Sequence, residues 1–444
     1  MWFSQWGILQ MMKAVKFEDM INVFSPFPLE GERYKEFYVD TSRIRNVMDA
    51  SKKIVNSLRY GINPYMKLLF MGHKGCGKST EILHIAQELQ DKYEVVTFSV
   101  AQEIEMSGIQ YVDVIFTIMN QIIEFVSKND RIQLKEDLMD RLIQYWKSET
   151  VLQEVLTEKS GFNADAEGKL SLLSIISANI KGVFQTGAET KREVRTAIEP
   201  KIGTLIRMIN DSIRDINEQL QMQSGKEILL VIEDLDKLEI ADARHIFVEH
   251  RKSLLTLQVK TIFSFPIYMV YTDDYSMIQD DFDECVLYSM IKVANKDKTD
   301  NEEGINILKE VVYKRMDRSL IQDDTLTYMI RKSGGALRDL FQMLSDAAFL
   351  KLEGGSREPI GQLEAEIAVS GLKSKYQRYI STSEQMERLI QIYLDPIPEQ
   401  TDSILSSLLK SLSVIEYNGE RWCGVHPILV DFLKEKNKID QNDE

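Results

Sequence analysis

The chain has 444 residues, 44% of them hydrophobic, enough to bury a core in each of about two to four domains. Its 69 Asp and Glu outnumber 54 Lys and Arg for a net charge of −15, which argues against a protein that coats nucleic acid through an overall basic surface. Three cysteines, Cys76, Cys285 and Cys423, are far apart and odd in number, so no disulfide framework is expected and a cytoplasmic, reducing location fits.

The N-terminal stretch MWFSQWGILQMMK lacks the basic start, apolar core and small-residue cleavage site of a signal peptide. The stretch LSLLSIISANIKGVF, residues 170–184, is too short and too polar to span a bilayer, so no membrane partner is expected. The first strand is read in MKLLFM, residues 66–71, and a second in EVVTFSV, residues 94–100. A long helical stretch follows. Its last part carries apolar residues at 194, 198, 202, 205, 209, 213, 216 and 220, a helical stripe that Pro200 should kink or break. Residues 159–169 read as a loop within this stretch. Further strands are read in EILLVIEDLD (227–236), VKTIFSFPIYMV (259–270) and ECVLYSMIKV (284–293). Apolar runs without alternation indicate strands buried on both faces, hence an α/β fold with a parallel sheet between helices.

The charged segment ANKDKTDNEEG ends this core, and helices fill 305–352 up to a break at LEGGSREPIG. The tail reads as two helical stretches, a hairpin turning at Asn418-Gly419 and a final helix, a winged-helix-like order. The expected units are 1–60, an N-terminal segment and linker; 61–297, the core with a helical insertion at about 101–226; 298–360, a helical lid; and 361–444, the winged-helix-like unit.

Between the first strand and the next helix lies Gly72-His73-Lys74-Gly75-Cys76-Gly77-Lys78-Ser79, a full match to G-x-x-x-x-G-K-S/T in the required context. The glycines let backbone N–H groups turn inward around a phosphate, and the helix start aims its positive end at the same anion. Lys78 would reach the outer phosphates and Ser79 would offer its hydroxyl to Mg²⁺, with Thr80 completing the nucleotide-binding set. His73 and Lys74 read as exposed spacers of the loop.

LLVIEDLDKL is a buried strand that delivers carboxylates to its C-terminal end beside that loop. Glu233 and Asp234 are the candidate metal ligand and catalytic acid. Neighbouring strand residues face opposite ways, so which does which stays open, with Asp236 a third candidate. Ser264 on the following strand is read as either a phosphate contact or a structural serine. Arg338, in SGGALRDLFQML, is read as either a surface residue or a lid arginine that touches the γ-phosphate. Arg192, Arg195 and Arg251 are weaker candidates for arginine fingers. The segment Asn295-Lys296-Asp297-Lys298 opens like a guanine-binding motif but ends in lysine, which cannot accept the guanine N–H pair, so ATP is favoured. Cys423 and His426 form a C-x-x-H with no second ligand pair nearby, and His84, His245 and His250 have no visible partners.

Together, GHKGCGKST, LLVIEDLDKL, SGGALRDL and the winged-helix-like tail resemble the AAA+/STAND branch of P-loop ATPases, nearest to the KAP and origin-recognition-like bacterial ATP-binding proteins. The resemblance covers most of residues 38–350. It implies a sheet order of 5-1-4-3-2, adenine held near FYVDTSRIR (37–45), and Arg338 as the lid arginine that senses the nucleotide. It also implies an ATPase using ATP and Mg²⁺ as a regulated switch, catalysed through Lys78, Glu233, Asp234 and Arg338. Glu233 stands where such proteins usually carry aspartate, which implies slow hydrolysis. Relatives of this kind often serve bacterial conflict systems, including phage defence, which implies a protein effector, and they often act as rings or pairs. The alternatives are an origin-recognition or loader-like ATPase on DNA and a nucleotide-binding scaffold that does not hydrolyse. Residues 401–444 carry five Lys and Arg against eight Asp and Glu, which favours a protein over DNA as the partner of the tail.

Overall fold

The computed structural model describes residues 13–45, 48–147, 166–186, 188–398, 402–417 and 422–440. Five apolar runs form one parallel sheet: β1 (Lys67–Gly72), β2 (Tyr93–Ser99), β3 (Glu227–Glu233), β4 (Lys260–Pro266) and β5 (Glu284–Leu287). Their order is β2-β3-β4-β1-β5, the order expected. Every residue of β1 and β4 is buried, as the runs require of central strands covered on both faces, whereas the edge strand β2 exposes Thr97. The β1 register against β4 runs from Lys67 opposite Thr261 to Gly72 opposite Pro266, so the C-terminal ends of both strands open at one edge of the sheet. β2 and β3 end together with Ser99 opposite Glu233. A ligand at this edge meets all of them, which is where open α/β sheets bind ligands.

Between β2 and β3, a short helix Val100–Glu103 leads into the insertion helices Tyr111–Ser127, Glu136–Lys147, Ala166–Thr186, Ala188–Ile198 and Ile202–Ser224. The striped segment buries Val194, Ile198, Leu205, Ile209, Ile213, Ile216 and Leu220. Pro200 breaks it as expected: a 3-10 turn at Glu199–Lys201 separates the two helices because proline cannot donate to the helical ladder. Most of the loop read at 159–169 lies outside the described residues, and its last residues already belong to the Ala166–Thr186 helix.

Beyond β5, the helices Glu302–Arg315, Asp323–Ser333 and Leu337–Glu353 form the lid. Residues 13–45 pack on it: Ala14 bridges Met316, and the Phe24 ring lies 5.3 Å from Phe341. The tail has three helices rather than two before its hairpin, Gln362–Gln377, Ser383–Leu394 and Ser403–Lys410. β6 (Val414–Tyr417) then pairs antiparallel with β7 (Trp422–Val425), and the Pro427–Glu435 helix follows; the turn at Asn418-Gly419 lies outside the described residues. Among the described residues no helix is long and apolar enough to cross a membrane.

Candidate functional site

The loop from Gly72 to Ser79 joins the central strand β1 to the helix Lys78–Glu88. Gly75 and Gly77 take φ of +84° and +103°, a left-handed turn that a side chain resists, and Gly77 caps the helix. A cleft of about 890 Å³ opens over this loop, within the range of small-ligand sites. Lys74, Gly75, Gly77, Lys78, Ser79 and Thr80 line one wall, Glu233, Asp234 and Asp236 a second, and Arg338 a third. The far end is lined by Phe37, Tyr38, Val39, Thr41 and Arg45 of the segment expected to hold adenine, together with Val23–Leu29 positions including Phe27 and Pro28. Seven cationic side chains line the cleft against five carboxylates, so this acidic chain gathers positive charge at the place a polyphosphate would need it.

The three acids at the end of β3 and just beyond it face three different partners. Burial pushes the Glu233 carboxyl up to about 7, against the opposing pull of the nearby Ser79 hydroxyl. Asp234 sits at a left-handed φ of 72°, accepts from the Ser99 hydroxyl at 2.6 Å and pairs with Lys237. Asp236 pairs with Lys78 at 2.8 Å, with 11% of the Asp236 and 7% of the Lys78 side chain exposed. Lys78 also donates to the carbonyls of Gly72 and His73, at 2.8 and 2.9 Å. Burial would lower the Lys78 amine, but the Asp236 charge outweighs it and holds the amine above its usual value. The hydroxyl of Ser79 and the carboxylate of Glu233 are hard oxygen donors brought to one point beside the loop, a donor set that fits Mg²⁺.

Arg338 is the second residue of the lid helix Leu337–Glu353, and its N–H donates to the Gly75 carbonyl at 3.4 Å. A Cβ on Gly75 would stand 2.8 Å from the Arg338 Cβ, so lid and loop touch only because this position is glycine. Gly335, two residues before the helix, has φ of +87° and would place a Cβ 1.8 Å from the Ile291 carbonyl, so the SGG run is required by the close approach of lid to core.

Four candidate residues lie outside the cleft lining: Gly72 and Cys76, both buried in the loop, and Ser264 and His73. Ser264 is buried and accepts from the Leu235 N–H at 2.9 Å; it does not line the cleft, and its hydroxyl holds the turn after β3. His73, read as an exposed spacer, is fully buried instead. Its Nε2 accepts the Glu416 N–H of β6 at 2.7 Å, so the proton of the neutral ring sits on Nδ1. Burial and the charge of Lys78 push this imidazole down to about 3. Lys74 is exposed as expected. The weaker arginine candidates Arg195 and Arg251 are committed internally, to Asp113 and Asp281, and Arg192 is exposed. The Asn295–Asp300 segment closes on itself through Asn295 and Thr299 and is absent from the cleft lining. Cys423 meets the Tyr271 hydroxyl at 3.3 Å, while His426 caps its own helix and faces Asp339, so the C-x-x-H side chains serve separate contacts. The three histidines read as unpartnered all have partners: His84 meets the Tyr34 hydroxyl at 2.7 Å and stacks on Tyr38, and His245 and His250 cluster with Tyr111.

Sequence reasoning missed Arg45. It is 2% exposed, donates to Thr41 Oγ1, the Ser289 carbonyl and the Cys76 carbonyl at 2.8, 2.6 and 2.8 Å, and lies 4.0 Å over the Tyr288 ring. It ties the phosphate loop to the segment after β5. Glu81, buried one turn into the loop helix, accepts from Ser51, from Tyr288 at 3.0 Å and from Tyr38 at 3.3 Å, and so fixes the far wall. No motif marks either residue; their partners lie up to 244 positions away.

No protein-family model matches the chain, and no curated protein does. Among solved structures, it is similar to a Walker-type ATPase of Pyrococcus abyssi, with 13% identity over 93% of this chain and 99% of that one and a TM-score of 0.46. It is also similar to Cdc6p from Pyrobaculum aerophilum, with 12% identity over 94% and 98% of the two chains and a TM-score of 0.42. A third is the Aeropyrum pernix ORC1 protein in complex with DNA, with 8% identity over 94% and 96% and a TM-score of 0.40. By its own sheet order and the loop at its central strand, the chain has an AAA+-like P-loop fold with a helical insertion, a helical lid and a small C-terminal helix-and-hairpin unit.

Proposed function

We propose that the chain binds Mg-ATP in this cleft and works as a slow ATPase switch whose nucleotide state is passed to the C-terminal unit. The observation that carries the reading is the convergence of Lys78, Ser79, Glu233, Asp236 and Arg338 on one cleft at the C-terminal edge of the sheet. The inward N–H groups of residues 75–79 bind the phosphates. Lys78 leaves Asp236 and the loop carbonyls for the outer phosphate oxygens, an exchange of one anionic partner for another. Mg²⁺, held by Ser79 and Glu233, supplies a Lewis acid that neutralises phosphate charge. Asp234 and Asp236 remain as acids able to orient a water, and Arg338 at the lid helix start responds to the terminal phosphate. Adenine is favoured over guanine because the Asn295–Asp300 segment is no part of the cleft.

Two contacts support a switch rather than a static binder. The lid touches the loop at Gly75, and the hairpin touches it at His73. A rearrangement of residues 73–78 around a phosphate moves both. A protein effector is favoured over DNA by the acidic tail. The test is calorimetry and turnover with the full chain. Mg-ATP should bind at micromolar levels and Mg-GTP more weakly, and Lys78→Ala should remove binding while keeping the fold. Intact binding without turnover would establish the scaffold reading. Binding to duplex DNA that collapses with added salt would establish the DNA-handling one. Absence of nucleotide binding by the folded native chain would overturn all three.

A further inference from the structure

The helix after the β3 acids does not wind evenly. Residues Ile240–Arg244 are α-helical, and His245–Glu249 form a π turn. The His250 N–H donates to the His245 carbonyl at 3.1 Å, the i→i+5 bond that defines such a turn. In an α-helix, residues four apart share a face and the fifth is carried away from it. The widened turn brings both back: His245 Nδ1 lies 3.2 Å from Glu249, and the His245 and His250 rings are 4.4 Å apart. One ligand atom from each of His245, Glu249 and His250 lies within 4.8 Å of the other two.

The geometry points to a transition-metal site of the zinc class formed by His245, Glu249 and His250, separate from the nucleotide cleft. Two imidazoles and a carboxylate suit Zn²⁺ or Co²⁺ and are a poor set for Mg²⁺, which takes oxygen donors. Three protein ligands leave the fourth tetrahedral position for water. Donors bonded at about 2.0 Å stand about 3.3 Å apart, so these must draw in by about 1.5 Å at most, which partly exposed side chains can do. His245 Nε2 is buried and, among the described residues, has no hydrogen-bond partner, so the ring has a nitrogen not otherwise engaged. The Tyr111 ring stacks on His250 at 3.9 Å with planes 3° apart and holds that imidazole in orientation. Glu199, which faces the Tyr111 hydroxyl at 3.5 Å, adds a second carboxylate charge nearby. A metal here stiffens the junction between the helix that follows the β3 acids and the first insertion helix, which starts at Tyr111.

The experiment uses the full chain, stripped with a chelator and kept in excess Mg²⁺ so that oxygen sites are filled. Calorimetry with Zn²⁺ should give one ion per chain, and Co²⁺ should produce visible d–d absorption. His245→Ala and His250→Ala should each weaken Zn²⁺ binding at least tenfold and abolish the Co²⁺ band. Glu249→Gln, at a half-exposed position where folding is not at stake, should weaken it by a smaller factor and shift the band. Metal-free unfolding midpoints and Mg-ATP binding should match the native chain. No Zn²⁺ bound by the native chain, or Zn²⁺ bound equally by Glu249→Gln and the two histidine variants, overturns the proposal.

Discussion

Removing the charge of Asp236 isolates the ion pair that holds Lys78. The two groups are 2.8 Å apart and nearly buried. At an effective dielectric constant near 20 their attraction is ~6 kcal/mol, against which stands the cost of drying both charges. Breaking a buried pair by removing one partner costs about 3–5 kcal/mol. Lys78 keeps two carbonyl acceptors, so Asp236→Asn belongs at the low end, about 3 kcal/mol. That lowers the unfolding midpoint by about 6–12 °C at ~2–4 °C per kcal/mol. The triphosphate should return part of the loss, because it supplies the anion that the variant lacks. If half is returned, the variant binds Mg-ATP about tenfold more tightly than the native chain. Thermal unfolding with and without Mg-ATP, together with calorimetric affinity, reads both numbers. A midpoint equally depressed in both conditions, or an affinity unchanged or weakened, would refute the idea that the amine is exchanged between Asp236 and phosphate.

Other perturbations test the surrounding contacts. His73 is lowered to about 3 in the folded chain against 6.5 in the unfolded one, so its contribution is complete above pH 6.5 and lost as pH falls toward 3. Relative to His73→Gln, which can still accept the Glu416 N–H, the native chain should lose about 2 kcal/mol between pH 7 and pH 5 in urea unfolding; parallel curves would contradict this. Gly75→Ala puts a methyl at a left-handed residue and 2.8 Å from the Arg338 Cβ. It should cost about 1–2 kcal/mol and weaken Mg-ATP binding at least tenfold by calorimetry. Arg45→Lys should cost about 3 kcal/mol in urea unfolding, because an ammonium cannot reproduce three divergent hydrogen bonds and a ring contact. It should also raise amide exchange around residues 74–77.

What the sequence disclosed was what is encoded within a few residues of itself. Buried parallel strands appear as continuous apolar runs, and the phosphate loop carries its own glycines and lysine, so β1 to β5 and the loop were legible. The break at Pro200 was legible for the same reason. The acids were legible as a group but not one by one, since their partners Ser79, Ser99 and Lys78 sit on other elements and the left-handed φ of Asp234 changes the simple alternation of a strand. Arg45 and Glu81 were invisible because a buried polar side chain is explained by what it faces, and those partners are brought in by tertiary packing. The π turn escaped because its hydrogen bond shifts by one residue within an otherwise ordinary helical pattern.

The misreading of His73 has the largest functional consequence. The motif leaves this position open, so local reading makes it a spacer. Here it is tied to a strand 343 residues away, and the carbonyl of the same residue accepts from Lys78. A single peptide of the loop therefore connects the amine expected to move on nucleotide binding with the backbone of the C-terminal hairpin. Arg338 meets the neighbouring Gly75 from the lid. Because both outer units touch the loop itself, the lid also lining the cleft, the proposed shift of Lys78 from Asp236 to phosphate would alter the loop at the points where lid and hairpin meet it. On the proposed reading the coupling needs no long relay, because lid and hairpin each touch the loop that would take the phosphate, at Gly75 and His73, in addition to contacts of the C-terminal unit elsewhere such as Cys423 with Tyr271.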